Sequence, residues 1–294
     1  MPRSASGLKN SARLAAAQLL RLVPGSAALR FKRDLRDAAW LDQADAAVVS
    51  FPKSGRTFVR AMLAHLYQRR FGIDERELLE FPVLLRASPE VPRVLFTHAG
   101  DAMRSPREIA LRAEDYRGAR VILLARHPGD VAVSRYHHLK HRSRDRARRR
   151  LADQPLEKFV WSEQGGVPSI VEFLNGFAAF EGVTILRYED FVSEPKEPLR
   201  ELAAAVGVQA SDDDVAAAAE FGKLPNLRQR ERDGYFRSAR LRPAKASDQR
   251  TAKVRSGRSG GYRTELGDAE ADRVDAYVAE HLDPVFGYSK SVGP

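Results

Sequence analysis

The sequence predicts an α/β fold, a single domain in which helices flank a central parallel β-sheet. Apolar runs of strand length alternate along the chain with stretches whose apolar residues recur at helical spacing. One run, residues 120–125, is almost unbroken, as is typical of a strand buried on both faces of a parallel sheet. The strand candidates end in polar turns, and parallel strands bring such turns to one edge of the sheet, where ligands bind.

Composition and charge restrict the class of protein. The chain has 294 residues, of which 43% are hydrophobic and 30% charged, as in a folded protein with a sizeable core. Cysteine is absent, which excludes disulfides, thiolate metal sites and cysteine nucleophiles. No apolar run approaches the roughly 18 residues of a membrane span, and we expect a cytoplasmic protein. The net charge of +10 predicts attraction to polyanions such as nucleic acid, anionic lipid, acidic glycans or phosphorylated small molecules.

Residues 1–40 form a basic extension before the predicted domain, which spans residues 41–290. Acidic residues are missing before Asp34, and a short apolar stretch is interrupted by Arg21. We predict a helix packed on the domain surface, and an anchor on a membrane surface is the alternative interpretation.

The first strand candidate leads into residues 48–58, which read Val-Val-Ser-Phe-Pro-Lys-Ser-Gly-Arg-Thr-Phe. Apolar residues then recur at helical spacing, as at Val59, Met62 and Leu66, and Gly72 is placed to cap the helix. The pattern predicts a strand, a tight turn and a helix. The free amides at the start of such a helix, beside a lysine and two hydroxyls, form a site for a phosphate or sulfate.

The next two strand candidates also end in polar residues. Residues 93–97 form a strand candidate that His98 follows directly, and a capping-box pattern at Ser105 predicts a short helix. The run at 120–125 ends in the turn 126–130, after which a helix is predicted.

The second half of the chain continues the alternation. Residues 183–188 form a strand candidate, a helix closes at Gly207, and Ser211 with three aspartates opens another. We predict a final helix over about residues 269–282. Two arginine-rich segments are predicted to lie outside the regular elements, an exposed basic insertion at about 139–164 and a long basic loop at about 224–259.

Three polar features therefore converge at the predicted sheet edge: the turn at Lys53, then His98, and Arg126 with Ser134. The turn is not a Walker A loop, because its lysine precedes the glycine, and no dinucleotide, H-E-x-x-H or EF-hand motif is present. We predict no metal site. A group of three histidines lies among arginines without obvious carboxylate partners and is expected to be solvated, namely His137, His138 and His141.

Five stretches resemble, in the same order, the motifs of the cytosolic-type sulfotransferases, which use 3'-phosphoadenosine 5'-phosphosulfate (PAPS) as donor. Residues 51–58 are similar to the phosphosulfate loop P-K-S-G-T-T-W. The other four are residues 97–98 (K-T-H), 126–134 (R-N-P-K-D-V-A-V-S), 187–190 (Y-Y-E-D) and 255–263 (R-K-G-x-x-G-D-W-K). The resemblance covers about residues 45–285 and implies a three-layer architecture like that of the P-loop NTPases.

The resemblance also implies roles for individual residues. The 5'-phosphosulfate would be held by Lys53, Ser54, Gly55 and Thr57, and the 3'-phosphate by Arg126, Ser134, Arg255 and Gly257. Aromatic residues on the adenine side would be Phe58, Tyr188 and Phe221, and the residues expected to take part in catalysis are Lys53, His98 and Ser134. Several positions in these motifs depart from the family pattern: Arg56 replaces a threonine and adds a cation, Phe58 replaces a tryptophan, and Ser256 replaces a lysine in the 3'-phosphate motif. Tyr262 and Arg263 in place of Trp-Lys are milder changes.

The mechanism implied is in-line sulfuryl transfer to a hydroxyl or amine, with 3',5'-ADP as the leaving product and no metal. His98 accepts the proton of the attacking group, and Lys53 neutralises charge on the bridging oxygen. The expected acceptor is a small molecule, a lipid or a glycan, and we expect no nucleic-acid partner. A peripheral membrane contact through the basic surface and a homodimer are further expectations.

Two other classes of protein remain open from the residues alone. A nucleotide or small-molecule kinase of P-loop-like fold would also need a lysine-bearing turn and arginines, but it should show a Walker lysine and a carboxylate for magnesium. A basic polyanion-binding protein would account for the net charge, although no helix-turn-helix, RRM or OB signature is present.

Overall fold

The computed structural model describes residues 11–16, 35–99, 113–116, 118–143, 149–238 and 259–288. Several predictions lie outside these residues: the helix expected at Ser105, the roles of Arg255, Ser256 and Gly257, and most of the extension 1–40. Within that extension, residues 11–16 and 35–40 are helical, and the second helical segment continues to residue 41.

Four parallel strands form the sheet of the described chain, which confirms the predicted fold class. They are β1 (Ala46–Val49), β2 (Val94–Thr97), β3 (Arg120–Ala125) and β4 (Thr184–Arg187). The spatial order is β2-β1-β3-β4, and β1 pairs Ala46 with Val94 on one side and Arg120 on the other. Every residue of the inner strand β1 and of the edge strand β2 is buried, as expected for a parallel sheet covered on both faces.

Eleven helices have named bounds in the described chain. They are α1 (Arg56–Phe71), α2 (Phe81–Leu84), α3 (Pro128–Arg142), α4 (Leu156–Val160), α5 (Val167–Ala178), α6 (Tyr188–Ser193), α7 (Lys196–Val206), α8 (Asp212–Gly222), α9 (Leu224–Arg232), α10 (Gly261–Leu266) and α11 (Asp268–His281). Three single 3₁₀ turns accompany them at Glu75–Glu77, Ala113–Tyr116 and Pro284–Phe286.

The sheet separates two apolar cores, so the domain has the three layers that the resemblance implies. Successive residues of β3 point to opposite faces: Ile122 and Leu124 join one core, and Leu123 joins the other. The first core contains the buried faces of α1, α7 and α8, and the second contains those of α3, α5 and α11.

The helix ends that the sequence predicts are confirmed. Gly72 and Gly207 adopt the left-handed conformation after α1 and α7, with φ of 68° and 87°. Ser211 caps α8 in a reciprocal capping box with Asp214.

Two expectations for the basic segments were wrong in part. Residues 224–232, predicted as the start of a long loop, form α9, because Leu227 is fully buried while the arginines of this helix lie around it. The insertion at 139–164 contributes more to the interior than its arginine content indicated. Leu139 and Phe159 are buried and, with Tyr136 and Ala152, form a third small apolar cluster.

The strand order creates a crevice at the carboxyl edge of the sheet. The chain leaves β1 towards β2 on one side and leaves β3 towards β4 on the other, although β1 and β3 are neighbours. Loops that diverge in this way open a cleft between them, which is where open α/β sheets bind ligands. The loops in question carry Lys53 and Arg126.

Candidate active site

The turn after β1 presents the start of α1 to the crevice. Gly55 is the N-cap residue with φ of 83°, and it offers no side-chain cap to the helix. Lys53 also has a positive φ, 85°, which is uncommon for a residue with a side chain. Because the first amides of a helix have no intrahelical acceptor, this end of α1 can receive an anion.

The Tyr188 ring packs directly against Gly55. A Cβ atom at position 55 would lie 2.1 Å from Cδ2 of this ring. Tyr188 is the first residue of α6, where the sequence predicted the end of a strand, and it is buried. The Phe58 ring makes a T-shaped contact with this ring, with 5.7 Å between the ring centroids. Glycine is therefore required at position 55 both by the positive φ and by the close contact with the Tyr188 ring.

The Ser54 hydroxyl has no hydrogen-bond partner among the described residues, although the side chain is only 1% exposed. A buried hydroxyl without a partner costs free energy that a bound acceptor would recover. Its position between Lys53 and Gly55 fits a phosphate or sulfonate oxygen.

Arg126 connects the two sides of the crevice. Its Nη1 donates to the carbonyl of Lys53 at 3.3 Å, and its guanidinium lies 4.5 Å from the centroid of the Tyr188 ring. Its Nη2 is 3.5 Å from the carboxylate of Asp130 in the first turn of α3. The cation predicted to bind phosphate thus contacts the lysine-bearing loop itself.

Asp130 fixes the start of α10 beside Arg126. One carboxylate oxygen accepts the Gly260 amide at 2.9 Å and the other accepts the Tyr262 amide at 3.1 Å. The side chain is buried. Residues 260–263 end the fifth sequence motif, so the carboxylate joins the third motif to the fifth.

His127 caps the N-terminus of α3. Its Nδ1 accepts the Gly129 amide at 3.3 Å, and its ring stacks on Tyr262 with 4.7 Å between the centroids. Burial lowers the pKa of this histidine below its ordinary value, against the opposing charges of Asp130, Asp275 and Glu189.

His98 follows β2 and lies beside the turn after β1. Its Nδ1 is 2.7 Å from the carbonyl oxygen of Ser50, the first residue after β1. Since a carbonyl only accepts, Nδ1 carries the proton, and the lone pair of the neutral ring is on Nε2. The ring therefore presents a basic nitrogen on the side away from Ser50.

The remaining predicted residues occupy different parts of the site. Arg56 and Thr57 are the first two residues of α1 and are half-buried. Ser134 lies one turn after Asp130 on α3 and is half-buried. Phe221 is buried at the end of α8, where its ring stacks on His65 at 4.4 Å and lies 4.0 Å from the Arg230 guanidinium. These contacts put Phe221 roughly 10 Å further along α1 than Phe58, the rise of seven helical residues.

The histidines of α3 differ from expectation in one respect. His137 contacts the Glu265 carboxylate at 2.5 Å, so it does have a carboxylate partner. Within the described residues, no group of three histidine, aspartate or glutamate side chains is arranged to hold a metal ion.

Comparison with known proteins identifies the family. The model of the family described as "Sulfotransferase domain" matches residues 43–286, which is most of the chain. The chain belongs to the sulfotransferase family. The enzyme class predicted from the motifs is thereby confirmed.

Two relatives by sequence and two solved structures resemble the chain at 15–25% sequence identity. Sulfotransferase 1A1 of Canis lupus familiaris is 25% identical over 257 residues, covering 81% of this chain and 83% of that protein. Sulfotransferase 1A1 of Bos taurus is 24% identical, covering 83% and 84%. Mouse sulfotransferase SULT7A1, solved with PAP, has the same fold, with a TM-score of 0.57 at 18% identity over 86% of this chain and 92% of that one. Retinol dehydratase, solved with androsterone and the inactive cofactor PAP, gives a TM-score of 0.54 at 15% identity over 86% of both chains.

Two groups of the candidate site are not identified by the sequence patterns. Asp130 had been noted within its turn without a role, although its place four residues after Arg126 in a matched motif was a usable signal. The contact of the Ser50 carbonyl with His98 cannot be predicted from the sequence, because every residue has a backbone carbonyl and only the fold brings this one to His98.

Proposed function

We propose that the protein transfers the sulfuryl group of PAPS to a hydroxyl or amine of an acceptor by in-line attack. The observation that carries the proposal is the meeting of three motifs at one crevice. The loop of Lys53, the guanidinium of Arg126 and the ring of His98 belong to three neighbouring strand ends, β1, β3 and β2.

The donor would be held at two points. The first amides of α1, the Ser54 hydroxyl and the Lys53 ammonium would take the 5'-phosphosulfate, with Gly55, Arg56 and Thr57 in the same turn. Arg126 and Ser134 would take the 3'-phosphate, since a guanidinium beside a hydroxyl suits a doubly charged anion. By the motif that they share with the family, Arg255, Ser256 and Gly257 would complete this second point. Two structures with the same fold were solved with PAP, which is 3',5'-ADP, and this supports the donor assignment.

The adenine would lie on the aromatic side of α1. Phe58 and Tyr188 contact each other next to the loop, which supports a role for both. Phe221, on α8, packs on α1 at His65, which is further along α1 than Phe58, and its contacts with His65 and Arg230 are packing contacts. Phe221 is therefore the adenine-side residue with the weakest support.

His98 would act as the general base. Its Nδ1–H is engaged by Ser50, which keeps the basic Nε2 in the orientation needed to accept a proton from the attacking hydroxyl or amine. Lys53 would neutralise the negative charge that grows on the bridging oxygen as the phosphate leaves. Because the transferring group is loosely bonded in the transition state, positioning and charge stabilisation account for most of the catalysis.

The acceptor is proposed to be a small molecule, with lipids and glycans as further candidates. Androsterone and retinol are the second ligands in two retinol dehydratase structures of this fold. No described helix is both long enough and apolar enough to cross a bilayer. Peripheral membrane contact, a homodimer and a cytoplasmic location stay predictions.

Transfer of radiolabelled sulfate from PAPS to phenols, sterols, glycolipids and oligosaccharides tests the proposal. The wild-type protein should label at least one acceptor in the absence of divalent metal. Lys53→Ala and His98→Gln should each lower kcat by at least about a hundredfold, within the range of general-base and charge-stabilising contributions.

Matched substitutions at exposed positions control for nonspecific effects. Lys158→Ala on α4 and His281→Gln on α11 should retain wild-type activity, since both side chains face solvent. A fully active His98→Gln enzyme would exclude this histidine as the base. Failure of the wild type to transfer sulfate to every acceptor class, with no binding of 3',5'-ADP, would overturn the donor assignment.

A further inference from the structure

The helical segment at residues 35–41 reaches the end of β2, although it lies before the region that the family model matches. Its Asp37 is 8% exposed, and Thr97, the last residue of β2, is 3% exposed. The Thr97 hydroxyl donates to Oδ2 of Asp37 at 2.8 Å. A buried carboxylate thus contacts the residue that immediately precedes His98.

The same hydroxyl also holds the residue after His98. The Ala99 amide donates to Oγ1 of Thr97 at 3.0 Å. Ala99 has a φ of 54°, in the left-handed region that residues with a Cβ seldom adopt. Because the hydroxyl proton is committed to Asp37, the oxygen is oriented to accept from Ala99. Both backbone neighbours of His98 are therefore fixed through one side chain.

The carboxylate of Asp37 is itself held in place. Its Oδ1 accepts from Nη2 and Nε of Arg36, at 2.8 and 3.1 Å. The Arg36 guanidinium lies 4.7 Å from the centroid of the Trp40 ring, which packs on Phe81 at 5.5 Å. Asp37 is thus a fixed acceptor between a cation on its own helix and the hydroxyl on β2.

The Ser50 contact of His98 depends on this arrangement. The distance of 2.7 Å from Nδ1 to the Ser50 carbonyl requires the His98 backbone to stay next to the turn after β1. If Thr97 lost its acceptor, the strained Ala99 turn could relax and the ring would no longer be held in one orientation. A base displaced by about 1 Å can lose on the order of a hundredfold in rate.

We propose that Asp37 is a positioning residue for His98, acting through the Thr97 hydroxyl. The inference rests on the proposed function, in which His98 is the general base. It gives the segment before the family domain a specific task, which is to hold the catalytic histidine at the end of β2 in one tautomer and one orientation.

Three variants of the full chain test the proposal. Asp37→Ala removes the acceptor, and Thr97→Val removes the hydroxyl with little change in shape. Thr97→Ser is the conservative variant, since it keeps the hydroxyl that donates to Asp37. The matched control is Asp42→Ala, which removes an exposed carboxylate that pairs with Arg13 at 2.7 Å just after the same helical segment.

Two measurements separate positioning from general stability. For the acceptor that wild type sulfates fastest, Asp37→Ala and Thr97→Val should lower kcat about tenfold to a hundredfold, while KM for PAPS stays within about twofold. Nitrogen-15 NMR of histidine-labelled protein should show Nδ1-protonated His98 in wild type and a mixture of tautomers in these two variants. Thr97→Ser and Asp42→Ala should resemble wild type in both measurements.

The outcomes distinguish this inference from the proposed function. Wild-type kcat together with an unchanged His98 spectrum in Asp37→Ala and Thr97→Val would overturn the inference. So would a loss in Thr97→Ser as large as that in Thr97→Val, because the serine keeps the bond to Asp37. If His98→Gln is fully active while Asp37→Ala changes the His98 tautomer, the positioning contact stands and the base assignment fails. If Asp37→Ala does not fold, Thr97→Val is decisive.

Discussion

The two histidines nearest the crevice hold their protons on different nitrogens. His98 donates from Nδ1 to a carbonyl, whereas His127 accepts an amide proton at Nδ1. The neutral ring of His98 therefore presents a basic Nε2, and that of His127 presents an Nε2–H near the Asp275 carboxylate, at 3.7 Å. The backbone group that each histidine meets thus decides which ring nitrogen carries the proton, which suits His98 to the proposed role of base and His127 to that of helix cap.

Substitution of Gly55 should be among the most damaging single changes in the loop. In Gly55→Ala the new methyl group would overlap the Tyr188 ring, and the backbone would keep a φ of 83°. We expect a loss of about 2–4 kcal/mol in the free energy of unfolding, from overpacking plus left-handed strain. Binding of 3',5'-ADP should also weaken, because the loop amides shift. Urea unfolding and calorimetric titration measure the two effects.

Gly72→Ala is the matched control for this prediction. Gly72 has a similar φ of 68°, but a Cβ there would meet no described atom within 4 Å. It should lose about 1 kcal/mol, the strain contribution alone, and retain donor affinity. Equal losses in the two variants would contradict the role assigned to Tyr188.

At the scale of the elements, the first turn of α3 organises the arginine side of the crevice. His127 caps this helix, and Asp130 in the same turn holds both Arg126 and the start of α10. A short stretch of chain thereby sets the position of one predicted phosphate ligand and of the motif expected to supply others. Substitutions in this turn should weaken donor binding more than they disturb the packing of the core away from the crevice.

The cap at His127 makes the stability of the protein depend on pH. Its pKa lies below the ordinary 6.5 because the ring is buried, so the folded protein keeps it neutral where the unfolded chain binds a proton. The stability of the folded protein that depends on this neutral ring is complete above about pH 6.5. It decreases as the pH falls below that value, by at most about 1.4 kcal/mol per pH unit.

His127→Asn should remove this dependence while keeping the cap, because the asparagine Oδ1 can accept the Gly129 amide. The stability of wild type relative to His127→Asn should therefore decrease between pH 7.5 and pH 5, as measured by urea unfolding at each pH. The pKa of His65 is also lowered by burial, but it titrates in both proteins and cancels in the comparison. A constant difference across this range would contradict the prediction.

For the whole molecule, the sheet order explains why distant motifs meet. The crevice between β1 and β3 follows from the opposite directions in which their connections leave, and the loop of Lys53 and the turn of Arg126 flank it. A four-stranded sheet is enough to bring three sequence motifs together. The second core, on the α3 side, supports the turn that carries Arg126 and Asp130.

A ligand that meets both predicted anion sites should stabilise the whole fold. At 100 times its Kd, 3',5'-ADP should add about 2.7 kcal/mol by mass action and raise Tm by several degrees without magnesium. ATP, which lacks the 3'-phosphate, should give a small shift that magnesium does not increase. Equal stabilisation by both nucleotides, or a requirement for magnesium, would favour the kinase alternative.

The sequence predicted most of the fold because its strands are short, apolar and followed by polar turns. The strand patterns predicted the loop at Lys53 and the place of His98 at a strand end, and the family resemblance suggested His98 as the base. The helix α9 was missed because Arg228, Arg230 and Arg232 obscured its single fully buried residue. Asp37 could not be found at all, since its bond to Thr97 joins residues sixty positions apart and has no local pattern.

The contact between Gly55 and the Tyr188 ring has a consequence for the order of events in folding. The loop proposed to hold the donor is an early part of the chain, yet the ring that it packs against is supplied by α6, which follows the edge strand β4 in sequence. A nascent or partly folded chain thus possesses the loop sequence without its finished shape. Affinity for the donor should then arise late in refolding, as a signal that the final strand of the sheet has docked.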